Sequence, residues 1–500
     1  MVFGVPSVNV SSTNGFVQSL PANDQMFGTV IECTKGEPNK IALIESATQL
    51  YQEFKIKMNA YWGVGGQALY VVRAATSSTN GASAPTKSTQ TFLDTATTPT
   101  QALTLTAKQP GSYEIYVTIS ANGSGGTNII LEEDGYSSEY YIGITGIEKL
   151  ANRINNESNI VDATFKAEGS GTLASVTRGI LGATGTRGTD GLTVASDPAW
   201  AGQIPAQYAT IAHENALALL QDYTIAGVFC TQVTSDTADA VHAVYVEHVQ
   251  KMNTSQYHGW RFAIIGAPDK ATKGEIITEA SSYNNENVAY VGQGVIDTNG
   301  TNYSPTEATQ IIAGKMGATD YYNTIWGGQS EKILGTNNTA YIVDTIAVPG
   351  TGTNGTPTYE DYVEYNEAGV ITFTTDSDGV KIKEAITTAH NYNSDQEDEL
   401  AVVRIVRHAK YVVYNTCHSY LGLGITDTFK TDLQEAIKTA LEEMKIEGAL
   451  TDDTDNNYSA YSASVSIVPY TSMIQGKVTA NVSITPVHAA RTINASITVY

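Results

Sequence analysis

AGVFCTQVTSDTADAVHAVYVEHVQKMNTSQYHGWRFAIIG, residues 226–266, is the stretch that decides the architecture. It opens with a short apolar run at 226–231, passes through a helical pattern at 237–252, and closes with a second apolar run at 261–266. Short, continuous apolar runs on either side of a helix are the signature of strands buried on both faces. The segment therefore predicts a strand–helix–strand unit of a layered α/β domain. The same alternation extends over residues 197–344, with a further helix at 305–316.

Working toward the N-terminus, 28–33 and 69–72 read as strands around a helical stretch at 46–59, an earlier part of the same α/β pattern. Between these parts the composition changes. Residues 76–99 are rich in Ser, Thr, Ala and Pro, which is linker composition and sets a domain boundary. Segments 102–106 (ALTLT), 113–120 (YEIYVTIS) and 128–132 then alternate with period two between turn signals at Pro110-Gly111 and 123–126. They predict a small antiparallel β domain, closed by the glycine-rich stretch 182–191.

Toward the C-terminus, a hairpin is expected from 370–374 and 380–386, followed by two amphipathic helices with one buried face each. Val402, Ile405, Val406, Ala409, Val412 and Val413 form the stripe of the first. Phe429, Leu433, Ile437, Leu441 and Met444 recur at helical spacing in the second, with Thr426 or Asp427 as its cap and Gly448 as its stop. The remaining residues are strand-like at 464–468, 478–484 and 493–499. Both ends of the chain thus read as extended arms: Val2, Val8 and Val10 around Pro6, and Ile493, Ala495, Ile497 and Val499. Unpaired apolar strands need partners, and neighbouring copies can supply them.

Composition narrows the function. With 28 basic against 51 acidic side chains, a net charge of -23 and no basic run, direct binding of nucleic acid or of an anionic membrane is disfavoured. No apolar run is long enough to span a bilayer and the first residues lack a signal-peptide pattern, so a soluble, unexported protein is expected. Cys33, Cys230 and Cys417 stand in no metal or redox spacing and read as small buried apolar residues. The eight histidines form no zincin pair, and neither a Gly-x-Ser-x-Gly elbow nor a phosphate-loop Lys-Ser/Thr pair occurs. No catalytic, metal or cofactor site is expected. The acidic run at Asp395, Glu397, Asp398 and Glu399 precedes a helix, where negative charge favours the dipole.

Seven segments in order carry a resemblance: GVPSVNV (4–10), GGQALYVVRA (65–74), AKQPGSYEIYVTIS (107–120), LGATGTRGTDG (181–191), AGVITF (368–373), DGVKIKEAITT (378–388) and VVRIVRHAKYVV (402–413). Together they resemble the tail sheath proteins of contractile-tailed bacteriophages and related contractile injection particles. The resemblance implies an α/β and β multidomain protein: a subtilisin-like α/β central domain without a triad, an inserted outer β-sandwich, and an α+β C-terminal inner domain with extended terminal strand arms. The implied layout is an arm at 1–25, the first part of the α/β domain at 26–90, the insertion at 91–180, the rest of the α/β domain at 181–350 and the inner domain at 351–500.

It further implies a structural subunit, not an enzyme, that stacks as hexameric rings around an inner tube and contracts to drive that tube through a cell envelope. The implied partners are other copies, the inner tail tube protein, and baseplate and tail terminator proteins; the place is a virion tail or equivalent particle, assembled in the bacterial host cytoplasm. Under this resemblance Val2, Val8, Val10, Ile493, Ala495, Ile497 and Val499 are the inter-subunit pairing residues, and Lys430, Lys438 and Lys445 on the polar side of the last helix are the candidate tube-facing residues. An arm burying roughly 500 Å² of apolar surface contributes on the order of 12 kcal/mol before ordering costs. Two other classes stand beside this one: a hydrolase of subtilisin-like fold, although no Asp, His or Ser signature of that protease family is found, and a non-contractile surface-lattice protein.

Overall fold

The computed structural model describes residues 10–12, 15–17, 24–74, 84–166, 172–191, 206–254, 257, 259–326, 343–347, 357–376, 379–389, 398–453, 458–467 and 476–488. The chain divides into two compact units: Met1–Thr29, Asn59–Tyr70 and Leu220–Tyr500 make the first, Val30–Met58 and Val71–Leu219 the second.

A short hairpin comes first, β1 (Val10–Ser12) with β2 (Gly15–Val17), followed by β3 (Phe27–Ile31), buried throughout, and β4 (Ile41–Ile44). The helical stretch expected at 46–59 is two helices, α1 (Ala47–Phe54) and α2 (Asn59–Gly63). Ser46 caps α1 by accepting from Gln49 N at 3.2 Å, and Lys55, in the left-handed region at φ 60°, ends it. β5 (Leu69–Arg73) is the strongly apolar strand expected there.

The second unit holds two antiparallel sheets over one core. Its elements are β6 (Thr89–Leu93), β7 (Gln101–Ala107), β8 (Ile115–Ala121), β9 (Thr127–Glu133), β10 (Glu139–Ile144), α3 (Ile147–Glu157), β11 (Val161–Phe165) and β12 (Val176–Ile180). The sheet orders are β10-β9-β8-β12 and β11-β7-β6. Leu103 and Leu105 from β7, Val117 from β8, Leu131 from β9 and Leu150 and Ile154 from α3 meet in that core, as period-two strands and a 3.6-period helix require. The linker expected at 76–99 is corrected here, because β6 lies inside it and pairs with β7, Thr91 opposite Thr104. Its polar Thr-rich composition hides a strand with only Phe92 buried.

The glycine-rich stretch 182–191 is packed against β6 and the residues before it. Thr186 and Thr89 exchange backbone hydrogen bonds at 2.8 and 2.9 Å, and Thr86 and Thr189 do so at 3.0 and 3.2 Å. Gly188 is required here, since a Cβ would sit 2.1 Å from the Gly111 carbonyl oxygen. The helix α4 (Ala206–Leu219) completes this unit.

In the first unit the strands are buried at every position and parallel: β13 (Gly227–Cys230), β14 (Phe262–Gly266) and β15 (Val288–Val291), with α5 (Ala238–Met252) and α6 (Lys273–Tyr283) between them. β16 (Gly294–Asp297), β17 (Asn302–Tyr303) and β18 (Val343–Ala347) form a small antiparallel sheet around α7 (Pro305–Ala318). α7 starts as its sequence dictates, with Ser304 and Glu307 closing a capping box and Pro305 in the first turn. After α8 (Tyr359–Glu367), β19 (Val370–Asp376) and β20 (Gly379–Glu384) form the expected hairpin. The layout that places this hairpin in the inner domain is corrected here: β19 pairs in parallel with β15, Tyr290 opposite Val370, and joins the central sheet in the order β20-β19-β15-β14-β13-β3.

The C-terminal layer consists of α9 (Leu400–His418), α10 (Asp427–Glu447) and the antiparallel pair β21 (Tyr461–Ser466) and β22 (Thr479–Ile484). Thr426 is the cap of α10, accepting from Phe429 N at 3.0 Å, and Gly448 at φ 91° ends it. Leu433, Ile437, Leu441 and Met444 pack with Ile405, Ala409 and Val413 and with Ala463 and Val465 of β21. Val478, Ala480, Val482 and Ile484 line the same core from β22, the side their alternation predicts. α9 departs from the one-face expectation: Leu400 to Ile405 are all buried, Arg404 included.

Candidate assembly surface

Two features stand out in the first unit: a sheet that has two strands among the described residues, and the buried contacts of Asp24. Among the described residues, no third strand pairs with β21 or β22, although Leu450 bridges Pro486 just past β22 and Gln434 Oε1 accepts from Val465 N of β21 at 3.3 Å. Two strands alone are marginal in water, and here α10 supports them by covering one face. Open ladders next to a supporting helix are receptors for an added strand.

Of the arm residues named from the sequence, Val10 lies in β1 opposite Val17, and that hairpin lies beside α9. Val2, Val8, Ile493, Ala495, Ile497 and Val499 lie outside the described residues. The three lysines of α10 differ from one another. Lys430 is exposed, Lys438 bonds Glu435 at 2.9 Å, and Lys445 bonds Asp452 at 2.8 Å. The bond to Asp452 holds the Lys445 ammonium above its ordinary range. Six acidic side chains share the helix with these three, so its outward face is net acidic.

Sequence reading missed the root of the N-terminal segment. Asp24, nine-tenths buried, accepts from His408 Nδ1 at 2.6 Å and pairs with Arg407 Nη2 at 3.4 Å. Burial opposes its charge, yet His408, Arg407 and Arg404 together hold the carboxyl below its usual range. The His408 ring stacks flat on Tyr321 at 3.8 Å, and Tyr321 donates to Glu447 at 2.5 Å in the last turn of α10. Arg404 caps the end of α7, donating to the carbonyls of Met316 at 3.1 Å and Thr319 at 2.6 Å. One turn of α9 thus ties the segment before β3, the end of α7 and the end of α10. The available signal was three basic residues, Arg404, Arg407 and His408, set in the otherwise apolar stretch from Leu400 to Ala409.

Three histidines are engaged by side chains of their own chain. His242 Nδ1 is 2.7 Å from Glu279, which also accepts from Tyr283 at 2.9 Å and Tyr290 at 2.5 Å. His248 accepts from Arg261, and burial beside that cation keeps it neutral, its pKa well below the ordinary value. The partners of His242, His248 and His408 are carboxylates, a guanidinium and a tyrosine ring, not a serine hydroxyl. No group of metal-ligating side chains occurs among the described residues, and no described helix is long and apolar enough to cross a membrane. Cys33 and Cys230 are buried, as expected, and burial pushes the Cys33 thiol up to about 12. Cys417 is half-buried.

The fold, a layered α/β sheet, an antiparallel β unit and a two-stranded sheet near the end, is similar to that of solved tail sheath proteins. Residues 206–388 match the phage tail sheath protein central domain. The crystal structure of a sheath tail protein from Desulfitobacterium hafniense is similar over 93% of this chain and 93% of its own, at 15% identity and a TM-score of 0.61. A sheath tail protein from Listeria innocua is similar over 94% of each chain, at 12% identity and a TM-score of 0.61. The sheath complex of an extracellular contractile injection system in its contracted state is similar over 100% of this chain and 98% of its own, at 11% identity and a TM-score of 0.52. No curated protein matches the chain. The resemblance to sheath proteins of contractile particles is borne out, and the fold is the mixed α/β multidomain fold of those structures.

Proposed function

We propose that this chain is the structural subunit of a contractile sheath. Copies polymerise as stacked hexameric rings around an inner tube and contract to drive the tube through a cell envelope. The observation that carries this reading is the match of residues 206–388 to the sheath central domain, supported by the likeness of the whole chain to sheath structures. The central sheet takes the subtilisin-like role of scaffold with no triad. The energy for contraction is stored in a metastable extended lattice, so no nucleotide site is needed. Partners are the inner tube, the baseplate and the terminator, in a phage tail or equivalent particle built in the bacterial cytoplasm.

In this mechanism the open edges of β21 and β22 accept strands from the arms of neighbouring copies. Backbone hydrogen bonds and alternate apolar side chains then keep subunits linked while other contacts rearrange. α10 faces the tube, and Lys430 is its freest cation. Negative-stain electron microscopy of concentrated protein tests the reading, with tubes expected; lattices of one fixed length would favour the surface-lattice alternative. Labelling by a covalent serine probe would instead favour the hydrolase. The double substitution Lys430→Glu and Lys438→Glu should leave the fold intact, by circular dichroism, and prevent assembly on purified tubes. Normal assembly would refute this placement of α10.

A further inference from the structure

A recess in the first unit is lined by Gln221, Tyr223, Tyr257, Trp260, Arg261 and Arg407, among others. Its two guanidinium groups are almost wholly buried, Arg261 at 1% exposure and Arg407 at 7%. Arg261 donates to the carbonyls of Leu220 at 3.0 Å, Tyr223 at 2.8 Å and Gly259 at 3.1 Å, and to neutral His248 at 3.1 Å. None of these is a carboxylate. Burial and the charge of Arg407 hold Arg261 down at about 9, the mark of a cation without a counter-charge. Arg407 gives Nε to Trp260 O at 2.7 Å and reaches Asp24 through Nη2; among the described residues its Nη1 has no acceptor.

A buried cation lacking an anionic partner is expensive, and truncating the pair Asp24 already makes would leave two. The rest of the molecule has the opposite sign, 51 acidic against 28 basic side chains. Any second copy therefore presents carboxylates in abundance. The recess, about 20 Å³ beside Tyr223, Tyr257 and Trp260, has room for one oxygen atom of a carboxylate, and guanidinium N–H groups make strong, short hydrogen bonds to such an oxygen.

We propose that this recess receives a carboxylate from a second copy of the chain, held by Arg407 Nη1 and by the remaining Nη2 hydrogen of Arg261. The identity of the partner rests on the self-assembly proposed above; the anion site itself does not.

The test uses the full chain, with acetate as the probe, exchanged against chloride at fixed ionic strength. The melting temperature should rise saturably by about 2 °C. Gln221→Glu, which places a carboxylate on the recess wall from a half-buried position, should melt higher without acetate and lose the acetate response. Equal responses in the two proteins, or none in the original, would overturn the site. Sedimentation then tests the partner: saturating acetate should weaken self-association of the original chain, and Gln221→Glu should associate at least tenfold less tightly. If acetate acts through the recess while association is unchanged or absent, the second copy is ruled out as the occupant.

Discussion

Asp24→Ala should destabilise the first unit by about 3–5 kcal/mol, the largest single-residue effect expected in the chain. The carboxylate is the ion-pair partner of both Arg407 and His408, and its loss strands a buried guanidinium 7% exposed. Native-state hydrogen exchange in α9 is the suitable measurement, since a chain of two units need not unfold in one step. A change below about 1 kcal/mol would show that the arginines are satisfied by carbonyls alone. The acid dependence has a definite sign. Because Asp24 is held below its ordinary value, its contribution is complete above about pH 4 and is lost as pH falls through the depressed value. The protection of α9 in the original chain should therefore weaken below that pH, and the Asp24→Ala profile should be flatter there.

Removal of residues 491–500 should abolish tube formation outright while leaving the folded subunit intact. The deleted piece carries Ile493, Ala495, Ile497 and Val499, an alternation suited to one face of an added strand, and among the described residues no third strand pairs with β21 or β22. At on the order of 12 kcal/mol per arm before ordering costs, no other single contact between copies is expected to compensate. Electron microscopy of both proteins at equal concentration decides it. Tubes of normal length from the truncated chain would end the arm-exchange mechanism, though not the sheath reading.

Buried strands and capped helices were legible because their signals are local. The apolar runs at 226–231 and 261–266 became β13 and β14, and Thr426 and Gly448 bound α10 where capping chemistry places them. Two kinds of feature escaped. β6 carries Thr at alternate positions with a single buried side chain, so its composition is that of a loop although its pairing with β7 is complete. β19 joins β15 across a separation of 80 residues, and Asp24 meets His408 across 384; no window of sequence contains either contact. The candidate surface divides along the same line. The apolar side of α10 and the Lys438–Glu435 pair, three residues apart on one helix, are readable from spacing, whereas the engagement of Lys445 depends on where Asp452, beyond the helix, comes to lie. Burial of the whole first turn and a half of α9 was hidden because Arg404 and Arg407 look solvent-seeking until the carbonyls they cap are in view.

The paired backbones of Thr86 with Thr189 and of Thr89 with Thr186 carry a practical corollary. The ends of the segment from residue 84 to residue 191 meet in one short ladder, and the segment is further fastened to residues 34–55 by the buried Lys35–Glu133 pair and the Lys35–Gly111 bridge. Exchange of this segment for a foreign domain would therefore have to replace Lys35, whose buried ammonium would lose Glu133. The turn at Gly123–Gly126, where a Cβ at Gly123 or Gly125 meets nothing within 4 Å, is the corresponding place to graft a peptide epitope. A polymer built from many such copies would then serve as a repetitive display scaffold.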